Sequence, residues 1–143
     1  IQCNDFIVEL DEERHFNRYR LLTLKSQYYN DHKLFDTLTY KDLCQTKEEE
    51  CLKAACWRKN WENDSTKKQF GKSDDEGYLG TKGSSRWKQR AFYDYLRDIS
   101  STLMGIPIIR ISIWEKIGKT TLDHLIKIKD FKKIENLILE RIG

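Results

Sequence analysis

Apolar positions along the chain change their period several times, and each change marks an element. Phe6 to Leu10 is a short apolar run carrying Glu9, with Asp11 directly after it, and it predicts a β-strand over about residues 5–11. Residues 12–30 mix charged and aromatic side chains and read as partly helical. The stretch 47–57 is made of good helix formers, with Thr46 and Glu49 spaced as a capping box. Residues 58–85 read as loop, punctuated by Gly71, Gly77, Gly80, Gly83, Ser84 and Ser85. Phe92, Leu96, Ile99 and Leu103 then form one apolar stripe and predict a helix over about 85–104. Ser84 or Ser85 starts it, and Gly105 stops it as a left-handed residue. On that reading Asp94 and Arg97 lie opposite the stripe, on the solvent side.

Residues 106–114 read as a buried strand, with Pro107 near its start, where a missing donor is tolerated. Leu122 to Leu125 and Phe131 to Ile142 are amphipathic helix, with a stripe of Phe131, Ile134, Leu137, Ile138 and Ile142. The order strand, helical insertion, helix, strand, helices predicts one domain of the α/β class with a mixed sheet.

Composition narrows the class. The chain has 143 residues, 38% hydrophobic and 34% charged, with one proline and a net charge of +3. That suits one soluble domain with one core rather than a disordered chain. No apolar stretch reaches the ~20 residues of a membrane span, and no signal peptide is recognisable, so a cytoplasmic protein is expected. Cys3, Cys44, Cys51 and Cys56 contain no C-x-x-C pair, and free buried thiols are expected. A zinc site across residues 44–56 is the alternative. The start, at Ile1 and almost inside a core strand, predicts further residues upstream.

Two segments carry candidate chemistry. Along a strand Glu9 and Asp11 share one face, roughly 6–7 Å apart, a spacing that lets two carboxylates hold one Mg²⁺. The other segment is 58–90. Its cations are Arg58, Lys59, Lys67, Lys68, Lys72, Lys82, Arg86, Lys88 and Arg90, nine against five acids, a net of +4. Trp57, Trp61, Phe70, Tyr78 and Trp87 are interleaved, so this segment is the candidate DNA-contacting surface. A packing lid with scattered lysines is the plainer reading.

Glu9-Leu10-Asp11 followed by His15-Phe16 resembles the E-x-D … H-F strand of small endonucleases. These belong to the PD-(D/E)XK superfamily, the restriction-endonuclease-like fold, in its very-short-patch-repair branch. Asp94-x2-Arg97-x7-Gly105-x4-Arg110 resembles the second half of that signature. The resemblance implies a restriction-endonuclease-like mixed central sheet flanked by helices, with residues 21–89 as an insertion. It implies a Mg²⁺-dependent DNA endonuclease, foremost a type II restriction enzyme acting on double-stranded DNA as a homodimer. Glu9 and Asp11 become the metal ligands, His15 the general base or a phosphate contact, and Asp94 the acid that orients His15. Arg97 and Arg110 become ion-pair or phosphate-binding residues. The superfamily also places an aspartate on a preceding strand. Asp5 is about 13 Å along the strand from Glu9, too far for one metal, so that acid is expected from an upstream segment. Asp11 also stands where the family motif has lysine. A homing or mismatch-nicking nuclease, or a non-catalytic nucleic-acid-binding module that retains the fold, are the alternatives.

Overall fold

A computed structural model describes residues 5–30 and 35–142. Strand β1 (Ile7–Asp11) pairs in parallel with β2 (Ile108–Ser112). Between them come α1 (Arg18–Thr23), α2 (Thr37–Thr46), α3 (Glu48–Ala55), α4 (Asp64–Phe70) and the long α5 (Ser85–Met104). After β2 follow the hairpin β3 (Lys116–Ile117) and β4 (Thr120–Thr121), then α6 (Leu122–Lys127) and α7 (Phe131–Ile142). The chain is therefore mixed helix and strand, as expected. Its described strands form two sheets of two strands each, one parallel and one antiparallel, rather than a single mixed sheet. No described helix is long and apolar enough to cross a membrane.

The pleat divides the parallel pair into two unlike faces. Val8, Ile109 and Ile111 lie on one, and the partly buried Ile134, Leu137 and Ile138 of α7 cover it. Glu9 pairs in register with Arg110, and Asp11 with Ser112, so the opposite face is polar. Helix α5 crosses that polar face. It begins and ends where the sequence predicts: Ser84 accepts from the N–H of Trp87, and Gly105 closes the helix at φ +67°.

The side of α5 that turns inward is the reverse of the expectation. Its buried residues include Trp87, Ala91, Asp94, Asp98 and Ser101. Phe92, Leu96 and Leu103 of the apolar stripe are 42, 41 and 82% exposed. The polar sheet face needs charged partners, and only the Asp94/Asp98 side of α5 supplies them.

The segment read as loop, 58–85, is substantially ordered by hydrogen bonds. Asn63 and Thr66 make a reciprocal capping box that starts α4. Trp61 and Trp87 are buried and meet edge to face, 5.4 Å between ring centres, packed with Cys51 and Ala55. Trp61 Nε1 donates to the carbonyl of Asp74, and the Asp74 carboxylate accepts from the N–H groups of Lys82 and Gly83. The capping box expected at Thr46 does not form. Thr46 ends α2, its hydroxyl donates to the Asp42 carbonyl, and α3 starts after Lys47 with no side-chain cap.

Cys44 and Cys51 are buried free thiols, pushed up to about 12 by burial, and Cys56 is half-buried. Among the described residues no cysteine joins a metal-binding group. Cys3 lies outside them.

Gly83 and Gly105 both hold positive φ, but only Gly83 is crowded. A Cβ there would stand 1.7 Å from the Tyr19 hydroxyl oxygen, whereas at Gly105 nothing lies within 4 Å. Gly105→Ala is expected to cost about 1 kcal/mol of backbone strain. Gly83→Ala should cost distinctly more, because Tyr19 must also move. Urea denaturation of the two variants checks the order.

Candidate active site

The polar sheet face and α5 enclose a charged cluster. Arg110, on β2, is fully buried. Its Nη1 donates to both oxygens of Asp11, at 2.8 and 2.9 Å. Its Nε donates to Asp98 at 2.7 Å, and its Nη2 reaches the Asp94 carbonyl at 3.3 Å and carboxylate at 3.4 Å. Asp98 also accepts from Arg20 at 2.8 Å and from the Tyr29 hydroxyl at 2.6 Å. The Tyr40 hydroxyl donates to Asp11 at 3.1 Å. Arg20 is delivered by α1, which Asn17 caps by accepting from the N–H groups of Tyr19 and Arg20. Burial and the neighbouring acids push both tyrosines up, so they act as neutral donors.

His15 closes the cluster on the solvent side. A single 3-10 turn, Glu13–His15, follows β1 and brings the imidazole back over the strand end. Nδ1 lies 2.8 Å from Asp94 and 3.5 Å from Asp11. A nitrogen flanked by two carboxylates carries the proton, so Nδ1–H donates to Asp94. Burial opposes the imidazolium, but the Asp94 hydrogen bond and the two negative charges outweigh it and raise the His15 pKa. Burial would lift Asp94; the His15 hydrogen bond and the Arg110 charge instead hold it well below the usual carboxylate range.

Asp11, Asp94 and Asp98 bring three negative charges, and Arg20 and Arg110 bring two positive ones. The buried set is one positive charge short, and either a proton or a cation beside His15 meets that deficit. Asp11, His15 and Asp94 each offer an atom within 4.8 Å of the others, which suits a metal ion. The group sits at the carboxyl end of β1, the side where parallel sheets place their ligands.

Expectation and structure part over the metal donors. Glu9 and Asp11 do share a face, but Glu9 turns to Arg97, 2.7 Å away, and does not belong to the three-residue group. Mg²⁺ prefers an all-oxygen shell, so the Glu9–Asp11 pair divided between two arginines is a poor fit to it. Asp11, His15 and Asp94 offer a metal ion a mixed set of oxygen and imidazole donors. Asp94, expected on the solvent side of its helix, is buried in this group, 2.8 Å from His15. Arg97 is exposed, while Arg110 is out of reach of any phosphate. The sequence reading missed Arg20, Tyr29, Tyr40 and Asp98. The i, i+4 spacing of Asp94 and Asp98 was the available signal.

The basic segment divides. Arg58, Lys59, Lys68, Lys72 and Lys82 are exposed. Lys67 is exposed but 3.7 Å from both Glu62 and Asp64. The other three make internal contacts: Arg86 with Gln89, Lys88 over the Tyr19 ring, and Arg90 with the Arg14 carbonyl. Trp61 and Trp87 are core, and Trp57 and Tyr78 remain at the surface.

A family model described as a family of unknown function, DUF7255, matches residues 1–128. Compared with curated proteins and with solved structures, the chain finds no match.

Two expectations follow. Arg110→Met leaves three buried carboxylates facing only Arg20 and His15, and loss of one partner from a buried ion pair costs about 3–5 kcal/mol. Arg97→Met, which breaks an exposed pair, should cost under about 1 kcal/mol. Chemical denaturation compares them. His15 is the second case: its folded pKa lies above the ordinary 6.5. Its stabilisation is therefore full below 6.5 and is lost as pH rises through the raised value. His15→Gln should remove that alkaline decline, read as the melting temperature against pH.

Proposed function

This chain belongs to the DUF7255 family, and we propose that it is a divalent-metal-dependent phosphodiesterase acting on DNA, an endonuclease of the restriction-endonuclease-like kind. The observation that carries the reading is the Asp11–His15–Asp94 group, gathered from a strand end, a turn and a helix and one positive charge short of balance. A protonated His15 or a bound cation supplies the charge that balances the set. The E-x-D … H and D-x2-R … G … R patterns support the same class.

In this reading Asp11, His15 and Asp94 hold the ion. A bound divalent ion offsets phosphate charge and makes an attacking water more acidic. Arg110 and Tyr40 fix the Asp11 carboxylate, and Asp94 fixes the His15 ring. His15 holds its proton at Nδ1 between the acids; were an ion bound there, Asp11, His15 and Asp94 would hold it and that proton would be released to solvent. The exposed Arg58, Lys59, Lys68, Lys72 and Lys82 offer contacts to a DNA backbone.

A non-catalytic nucleic-acid-binding module is the second reading. One observation favours it: Arg110 and Tyr40 already occupy both Asp11 oxygens.

Cleavage of supercoiled plasmid with Mn²⁺, Mg²⁺ or EDTA, together with calorimetric titration of the ions, separates the two. Metal-dependent nicking is expected, together with metal binding that Asp94→Asn weakens by at least about tenfold. The loss of one ligand is the cause. DNA binding without cleavage or ion binding would leave the module reading in its place.

A further inference from the structure

The side of α5 that carries Asp98 and Asp94 continues toward the helix start as Arg90 and Arg86, each four residues from the next. Asp94 and Asp98 are spent on Arg20, Arg110 and His15. Arg86 and Arg90 are half-buried, and so is Arg14 of the turn that carries His15. Arg90 Nη1 donates to the Arg14 carbonyl at 3.3 Å and so joins helix to turn. Burial, and after it the Arg86 and Arg14 charges, push the Arg90 pKa down, so three cations crowd one place.

Acids do not offset them. Glu12 pairs with Arg14 at 2.5 Å. Arg86 donates to the uncharged amide of Gln89. Among the described residues neither Arg86 nor Arg90 forms an ion pair. Glu48, at the start of the adjoining α3, is held by Arg18. Three cations against one acid leave a net of +2 on half-buried groups. Burying charge without a counter-charge costs free energy, which an anion from outside the chain would return.

We propose that Arg14, Arg86 and Arg90 form a binding site for a phosphate dianion, either the terminal phosphate of a DNA strand or free phosphate. Guanidinium groups present planar forks that match phosphate oxygens. A terminal phosphate carries close to two negative charges near neutral pH and meets the imbalance. An internal phosphodiester carries a single charge and leaves the set unbalanced. The site lies one turn of α5 from Asp94, next to the open end of the charged cluster at His15. DNA as the source rests on the nuclease reading; the site itself does not, and its test needs neither a metal ion nor cleavage.

The full chain is tested in EDTA. Melting temperature is followed against added inorganic phosphate, and anisotropy reports binding of one labelled duplex with 5′-phosphate or hydroxyl ends. Phosphate is expected to raise the wild-type melting temperature, as a ligand of the folded state does. The phosphorylated duplex should bind at least about tenfold more tightly than the hydroxyl-ended one, the effect of one or two charge-assisted hydrogen bonds. Arg86→Gln and Arg90→Gln should each abolish both effects. Neither should lower the melting temperature without phosphate, because each relieves repulsion among like charges; a structural role would lower it. Stabilisation by phosphate with no preference between the duplexes assigns the site to free phosphate and supports it without DNA. A wild-type chain that shows neither effect overturns the proposal, and so do effects that survive both variants.

Discussion

The buried guanidinium of Arg110 is the constraint on which the other elements depend. It sits on β2 with no access to solvent, and desolvating a cation there is tolerable only if several acceptors surround it. Asp11 from the neighbouring strand and Asp94 and Asp98 from α5 supply them. Three carboxylates around one guanidinium then need a second cation, and Arg20 of α1 provides it through Asp98. One arginine thus ties the parallel strand pair to α5, and through Arg20 to α1. The neutral hydroxyls of Tyr29 and Tyr40 add donors to the Asp98 and Asp11 carboxylates.

This arrangement makes a two-stranded sheet viable. Its apolar face is covered by α7, as a hydrophobic argument predicts. Its other face is held by ion pairs rather than by apolar contact, and α5 must show that face its acids. The cost appears on the outside of the same helix, where Phe92, Leu96 and Leu103 are exposed among the described residues. A polar interior and an apolar exterior on α5 are two consequences of one charge placement.

The chemistry follows from the same cluster. Structural ion pairs in a core are closed systems, with each charge met by another. Here the set runs from fully enclosed at Asp98 and Arg110 to partly open at His15, and the missing positive charge lies at the open end. The open end is therefore where the turn after β1 lets the imidazole reach solvent. The basic segment 58–90 contributes differently from its composition. Its tryptophans Trp61 and Trp87 build a second small core, and only some of its cations remain at the surface.

The sequence by itself determined whatever depends on near neighbours. The two strands of the parallel pair, the limits of α5 from Ser84 to Gly105 and the shared face of Glu9 and Asp11 follow from periodicity, capping and left-handed glycine, whereas α4 and the β3–β4 hairpin do not. The 58–85 segment escaped because its order comes from Asn63, Asp74 and Ser84 bonding to backbone several residues away, which mimics loop composition. Which face of α5 turns inward was beyond local reading, because a hydrophobic stripe is assumed to be core. Only the tertiary structure reversed it, by bringing together Asp11 and Arg110, 99 residues apart, and placing Asp94 beside His15. A buried charge finds its partner through space, and no periodicity along the chain records that distance.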